Sequence, residues 1–271
     1  MKNQIANIIN SFISKYRCDN DISTNWGEPL VGFADANHPD ILNLPNMISP
    51  KHGVPSEVVD DASIVIAYFI PFTGELAETN RISRETASAE WALAYEETNT
   101  LLSEINSHLI KALKQMGYNA GISPKASVFD KDKLISHWSH RHFAKAAGLG
   151  TFGLNNMLIT KTGCCGRYST VVTNLDIEPD APLDEEYCLY KKNGICKVCI
   201  NNCPSGALTV NGFDRNKCYE ICEKNAQIYT EFGYSYVGEY ADDNDPQHKH
   251  NKSGSEVCGK CVVGAPCTFR K

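Results

Sequence analysis

The stretch Cys196-Lys-Val-Cys199-Ile-Asn-Asn-Cys203-Pro204 constrains this chain more than any other. Two cysteines stand two residues apart, a third follows after three more, and a proline comes directly behind it. A second group, Cys258-Gly-Lys-Cys261-Val-Val-Gly-Ala-Pro-Cys267, lies near the C-terminus, with Cys218 and Cys222 between the two. Of twelve cysteines, Cys18 is alone, Cys164 and Cys165 are adjacent, and nine fall between Cys188 and Cys267. A disulfide framework suits a short secreted chain. The N-terminus here has no long apolar core before a small-residue cleavage site, so a cytoplasmic chain with metal-ligating thiols is the expectation.

Iron–sulfur ligation in the bacterial style reads C-x2-C-x2-C-x3-C-P. The last three cysteines and the proline are present, and Asn193 stands where the first would be. Cys188 supplies the missing thiol on a longer loop. In two-cluster proteins the fourth cysteine of each run ligates the other cluster. That rule assigns Cys188, Cys196, Cys199 and Cys267 to one 4Fe–4S cluster. It assigns Cys203, Cys258, Cys261 and Cys218 to the second, with Cys222 as the alternative to Cys218. The competing reading is a pair of zinc sites, each with four thiolates; the C-P-x-G-A step at Cys203-Pro-Ser-Gly-Ala favours iron and sulfur.

The remaining chain is long enough for a second unit. The whole 271-residue sequence is 42% hydrophobic, enough to bury a core, and its formal charge of −6 shows no broad basic face for nucleic acid. The longest apolar run, Ala62 to Phe72, is too short to span a bilayer, so no membrane association is expected. Ile5, Ile8, Ile9, Phe12, Ile13 and Tyr16 predict an amphipathic helix over 3–16. Strands are predicted at Leu30–Phe33, Ala62–Ile70, Tyr118–Ile122 and Arg167–Asp176. Helices are predicted over 88–116, with Gly117 as its stop, and over 132–147. Such alternation predicts an α+β protein whose first unit, 1–180, is an α/β sandwich with a mixed sheet. The proline-rich, acidic 179–186 stretch reads as a linker to a cysteine-rich unit, 181–271.

Polar candidates concentrate before the clusters. If residues 132–147 are helical, His137 and His140 share a face, with Arg141 beside them. The histidines suit proton donation and Arg141 suits a phosphate or carboxylate; an exposed helix face is the plain alternative. Gly148, Gly150 and Gly153 leave room for close approach of a ligand, or form a helix cap and tight turn. Cys164 and Cys165 read as buried thiols. The 242–250 stretch, DDNDPQHKH, reads as a solvated loop.

Ala147-Gly-Leu-Gly150-Thr-Phe-Gly153-Leu-Asn155, with Gly163, Arg167, Val171-Val-Thr173 and the cysteine pattern that follows, is similar to the epoxyqueuosine reductase family. The resemblance runs over roughly residues 130–267. It implies a nitroreductase-like domain that binds cobalamin, fused to a double-cluster ferredoxin-like domain. It further implies single electrons passing through the clusters to the corrinoid for a reductive step; reductive dehalogenases share this architecture. The family's proton-donating aspartate maps closest to Asp130, with Asp132 nearer in spacing. Gly148, Gly150, Gly153, Asn155 and Arg141 are then cofactor-binding candidates, and Asp130, His137 and His140 catalytic ones. Thr151 and Leu154 replace the family's Trp and Lys. The chain ends four residues after Cys267, so the family's C-terminal helical-repeat region is not expected, and with the acidic charge this argues against tRNA. Expected partners are a reduced donor such as a ferredoxin or flavodoxin and a small-molecule substrate. The rival reading is an electron-transfer protein that serves a separate corrinoid or flavin enzyme and carries no organic cofactor.

Overall fold

The computed structural model describes residues 1–232 and 254–270, so the 242–250 stretch lies outside the described residues. Helix α1 (Lys2–Asp19) leads to strand β1 (Leu30–Asp35), single-turn helices α2 (Pro39–Leu42) and α3 (Leu44–Met47), and strand β2 (Ile64–Pro71). Helices α4 (Gly74–Ile82) and α5 (Ala89–Gln115) follow. Three short strands come next, β3 (Ala120–Gly121), β4 (Phe129–Asp130) and β5 (Ile135–Ser136), then helix α6 (His140–Ala146). Strands β6 (Gly150–Phe152), β7 (Leu158–Thr160) and β8 (Gly166–Thr173) complete the first part. The cysteine-rich part carries α7 (Leu189–Asn193), α8 (Val198–Asn201), the hairpin β9 (Leu208–Thr209) and β10 (Gly212–Phe213), and α9 (Arg215–Ile228).

The central sheet has the order β1-β2-β8-β3. Strand β2 is buried along its whole length, which its unbroken β-branched and aromatic run requires. Because strand side chains alternate, Ile64, Ile66, Tyr68 and Ile70 pack on the core that holds α1 and α5. Val65, Ala67 and Phe69 pack on the opposite face with Phe143, Ala144 and Ala146 of α6. Each fully buried Ile, Val or Phe among them contributes about 1.5–3 kcal/mol. Helices therefore cover both faces, and the chain is α+β as expected.

Two expectations are corrected. The sheet is not mixed: β1–β2, β2–β8 and β3–β8 all pair antiparallel. Alternating strands and helices give parallel neighbours only when a single helix crosses over between them. Here the route from β2 to β8 passes through α4, α5, α6 and two hairpins. The helix predicted over 132–147 is also shorter, beginning at His140. Upstream, β4 and β5 form a hairpin closed by the Asp130 carboxylate, which accepts from the N–H groups of Asp132 (3.1 Å) and Lys133 (2.9 Å). Leu134 there has φ of +52°, outside the helical region.

The cysteine-rich part is keyed into this frame. Val257, Val262 and Val263 belong to the same apolar core as α1 and α5. Buried Asn225 of α9 accepts from Ala87 N–H (3.1 Å) and donates to the Val257 carbonyl (2.6 Å). The 179–186 stretch is tied down at Asp180, whose carboxylate accepts from Phe33 N–H at 2.9 Å. Among the described residues no helix is long and apolar enough to cross a membrane.

Candidate functional site

The thiols fall into two groups. Cys188, Cys196, Cys199 and Cys267 line one small cavity, with Gly153, Leu154 and Asn155 on its other wall. Cys188 is the N-cap of α7 and Cys199 lies in α8, so two short helices set these thiols. The Leu154 N–H donates to Cys188 Sγ at 3.4 Å. Burial pushes the Cys199 thiol up, and negative charge on Cys267, Cys188 and Cys196 adds to that.

Cys203, Cys218, Cys258 and Cys261 line a second, larger cavity of about 900 Å³, and so does Cys222. Cys218 and Cys222 are hydrogen-bonded neighbours one turn apart on α9. Cys218 and Cys203 act electrostatically on both Cys258 and Cys261. Cys258 also acts electrostatically on Cys222, so Cys218 and Cys222 are both placed to be the fourth member. The 258–261 loop is held by α4: Asn80 Nδ2 donates to the Cys258 carbonyl at 2.9 Å, and the buried Lys260 ammonium donates to Asn80 Oδ1 at 2.9 Å.

Among the described residues, no three His, Cys, Asp or Glu side chains converge closely enough to hold one metal ion. A structural zinc gathers four thiolates around a single point at about 2.3 Å. In a cubane each thiolate meets a different iron, so the sulfurs stand around a cage. Either pattern takes four thiolates, and each cavity offers at least that many.

The larger cavity is broad and mostly apolar. Phe72, Trp91, Tyr95, Phe152 and Met157 form much of its wall, and Arg141, His142 and Arg167 reach it as well. The indole N–H of Trp91 is buried and has no partner among the described residues. Trp91 also packs against the second thiol loop: a Cβ on Gly259 would come within 2.4 Å of its ring. Arg167 lies 4.0 Å over the Tyr95 ring and donates to Asn99 Oδ1 at 2.6 Å. Arg141 donates to the Asn156 carbonyl at 2.6 Å. A volume near the top of the usual range for small-molecule sites, an orphan buried donor and two guanidinium groups suit a large organic ligand with acceptor or anionic groups.

The predicted polar residues divide. Arg141, Gly153 and Asn155 line the large cavity, and Gly153 and Asn155 line the small one too. Asp130 lines neither. Its carboxylate closes the β4–β5 turn, and the N–H of Lys133 holds it below the usual range. His137 lies before α6 rather than on it, so it does not share a helical face with His140; its ring is buried with no hydrogen-bond partner among the described residues. His140 turns to the sheet, with Nδ1 2.9 Å from Thr170 Oγ1. Burial, then Arg167 and Arg141, push its pKa down to about 4, so it is neutral at pH 7 and is not an imidazolium donor. His142 is the histidine at the cavity; burial and then Arg141 bring it down to about 4. Gly148 and Gly150 serve internal packing. A Cβ on them would meet the Ala181 carbonyl at 2.4 Å and the Ile159 carbonyl at 2.1 Å.

Trp91, Tyr95, His142 and Arg167 were not singled out as site residues by the sequence. The first two repeat at helical spacing on α5 and look like core. Arg167 opens a strand, with no motif of its own. His142 is distinguished from His140 only once the start of α6 is known.

No family model matches the chain. It is similar to epoxyqueuosine reductases. One from Leadbetterella byssophila is 28% identical over 184 residues, covering 66% of this chain and 54% of that protein. One from Bacillus anthracis is 35% identical over 176 residues, covering 62% and 42%. A tetrachloroethene reductive dehalogenase from Desulfitobacterium hafniense is 36% identical over 92 residues, covering 32% and 16%. The chain thus spans about half the length of the curated epoxyqueuosine reductases it matches. Among solved structures, an epoxyqueuosine reductase holding an epoxyqueuosine-modified tRNA-Tyr stem loop superposes with a TM-score of 0.50 at 19% identity. The match covers 93% of this chain and 69% of that one. The fold is therefore shared with epoxyqueuosine reductases. The same structure overturns the expectation against tRNA, because a protein of this fold carries a tRNA stem loop.

Proposed function

We propose that the chain is an iron–sulfur reductase. In this reading Cys188, Cys196, Cys199 and Cys267 hold one 4Fe–4S cluster, and Cys203, Cys218, Cys258 and Cys261 hold a second. Residues 1–180 form a nitroreductase-like unit with a corrinoid in the large cavity, and 181–271 a ferredoxin-like unit. The observation that carries it is positional. The second thiol group opens onto the large cavity, the first does not, and Gly153 to Asn155 form a wall common to both. A reduced ferredoxin or flavodoxin is the expected donor.

Bound there, the clusters would supply single-electron transfer and the corrinoid reductive chemistry at cobalt. The chain's own residues do the rest. Phe72, Trp91, Tyr95 and Phe152 give the cavity an apolar wall against which a large ligand can pack. The guanidinium groups of Arg141 and Arg167 offer donors that orient the ligand. His142, neutral and hydrogen-bonded through Nδ1 to Ser139 Oγ at 2.7 Å, can take up a proton at the cavity wall. Its low pKa makes it a weak base, so its contribution is positioning more than proton storage.

Anaerobic purification tests the reading. A brown protein with about eight iron atoms per chain that binds added cobalamin supports it. Zinc in place of iron removes it. Iron without any corrinoid binding under reducing conditions leaves the electron-transfer alternative. An epoxyqueuosine-bearing tRNA stem loop and chlorinated alkenes, the molecules named for the relatives, are the first substrates to assay.

A further inference from the structure

We infer that Cys164, which is not one of the eight proposed ligands, is a potential-setting residue of the first cluster. The inference rests on the iron–sulfur reading above. Cys164 is fully buried, and its Sγ lies 3.9 Å from Sγ of Cys267. The backbone fixes this proximity. Cys164 N–H donates to the Cys267 carbonyl at 2.9 Å, and Arg270 N–H donates to the Thr162 carbonyl at 3.1 Å, so residues 162–164 pair with 267–270 like a short ladder. Gly163 permits the approach. Its φ is +118°, and a Cβ there would stand 2.2 Å from the Thr268 carbonyl.

The thiol is also oriented from behind. Asn155 Nδ2 is 3.9 Å from Cys164 Sγ and donates to the Cys261 carbonyl at 3.0 Å, while its Oδ1 accepts from Met157 N–H at 3.1 Å. With the amide N–H directed at the Cys164 sulfur, the S–H is left to point at Cys267. A thiolate bound to iron gains negative charge when its cluster is reduced, and a hydrogen bond to that sulfur stabilises the reduced state more than the oxidised one. Cys164 therefore raises the reduction potential of the first cluster relative to a site without it. Asn155 couples this thiol to the backbone beside Cys261, a ligand of the second.

The experiment compares Cys164→Ala, Cys164→Val and Cys164→Ser in the whole chain, purified anaerobically. Iron content and the midpoint potentials of both clusters are read by EPR-monitored redox titration. All three variants are expected to keep the parent iron content. Alanine and valine remove the donor and lower one of the two midpoint potentials, while the other stays. Serine keeps an O–H donor and lies between them and the parent. Valine fills the thiol's volume, so agreement of alanine and valine separates hydrogen bonding from packing. An unmoved potential, or serine equal to alanine, overturns the inference while leaving the cluster reading intact. Loss of iron from all three variants also overturns it, because Cys164 would then be a ligand. A parent protein without iron overturns both.

Discussion

Replacing Asn155 tests how the site is held together, and its cost can be worked from the contacts. The side chain is buried and joins the β6–β7 hairpin to the second thiol loop. In Asn155→Ala the Cys261 carbonyl loses its donor at 3.0 Å and the Met157 N–H loses its acceptor at 3.1 Å. A buried polar group left unpaired costs about 1–3 kcal/mol. Both partners are only partly buried, so the lower half of that range applies to each. The sum is about 3 kcal/mol, or roughly a 6 °C fall in melting temperature for a chain of this size. Asn155→Asp keeps the acceptor for Met157 but sets a carboxylate against the Cys261 carbonyl and the thiolates, and is expected to fall further. Circular dichroism melts of the anaerobic, iron-loaded proteins give the answer. A change within 1–2 °C for alanine, or aspartate no worse than alanine, refutes this account of the junction.

Three further outcomes follow from the geometry. His140 and His142 sit near 4 against an ordinary 6.5, so below pH 6.5 the unfolded chain binds protons that the fold does not. Stability is full above 6.5 and falls as pH drops towards 4, by up to about 3 kcal/mol per histidine; urea midpoints across that window test this, and His140→Asn flattens the slope. Gly259→Ala places a methyl within 2.4 Å of Trp91 at a φ of +72°, and is expected to lower iron from about eight to about four per chain by emptying the second site. Cys199→Ala removes a thiol common to the small cavity and is expected to empty the first site, seen as loss of one of two midpoint potentials.

Much of this was legible in the residues. The thiol spacing, read with the exchange of a fourth cysteine between the two runs, anticipated which thiols line each cavity. The unbroken run from Ile64 to Pro71 marked a strand buried on both faces, and Ser88 and Gly117 bracketed the long helix α5. What failed depended on chain direction and on local turns. Strand direction in the sheet is decided by the whole path from β2 to β8. The helix predicted over 132–147 had the right periodicity, but only its second half forms, because Asp130 and the left-handed Leu134 close a hairpin before it. That error misplaced His137. Gly148 and Gly150 looked like ligand-contact glycines because their close neighbours, Ala181 and Ile159, are not adjacent to them in sequence. The nearness of Cys164 to Cys267 was likewise invisible until residues 162–164 and 267–270 were paired.

The most direct test of the central claim is electron delivery from the thiol groups to the large cavity. The protein is reduced anaerobically, freed of excess reductant and mixed with hydroxocobalamin, and the cluster and corrinoid absorption bands are followed together. The account predicts that cobalamin binds and its spectrum changes to a reduced form as the clusters reoxidise, and that Trp91→Phe and Arg167→Met weaken the binding. A corrinoid spectrum that stays unchanged beside fully reduced clusters would contradict it.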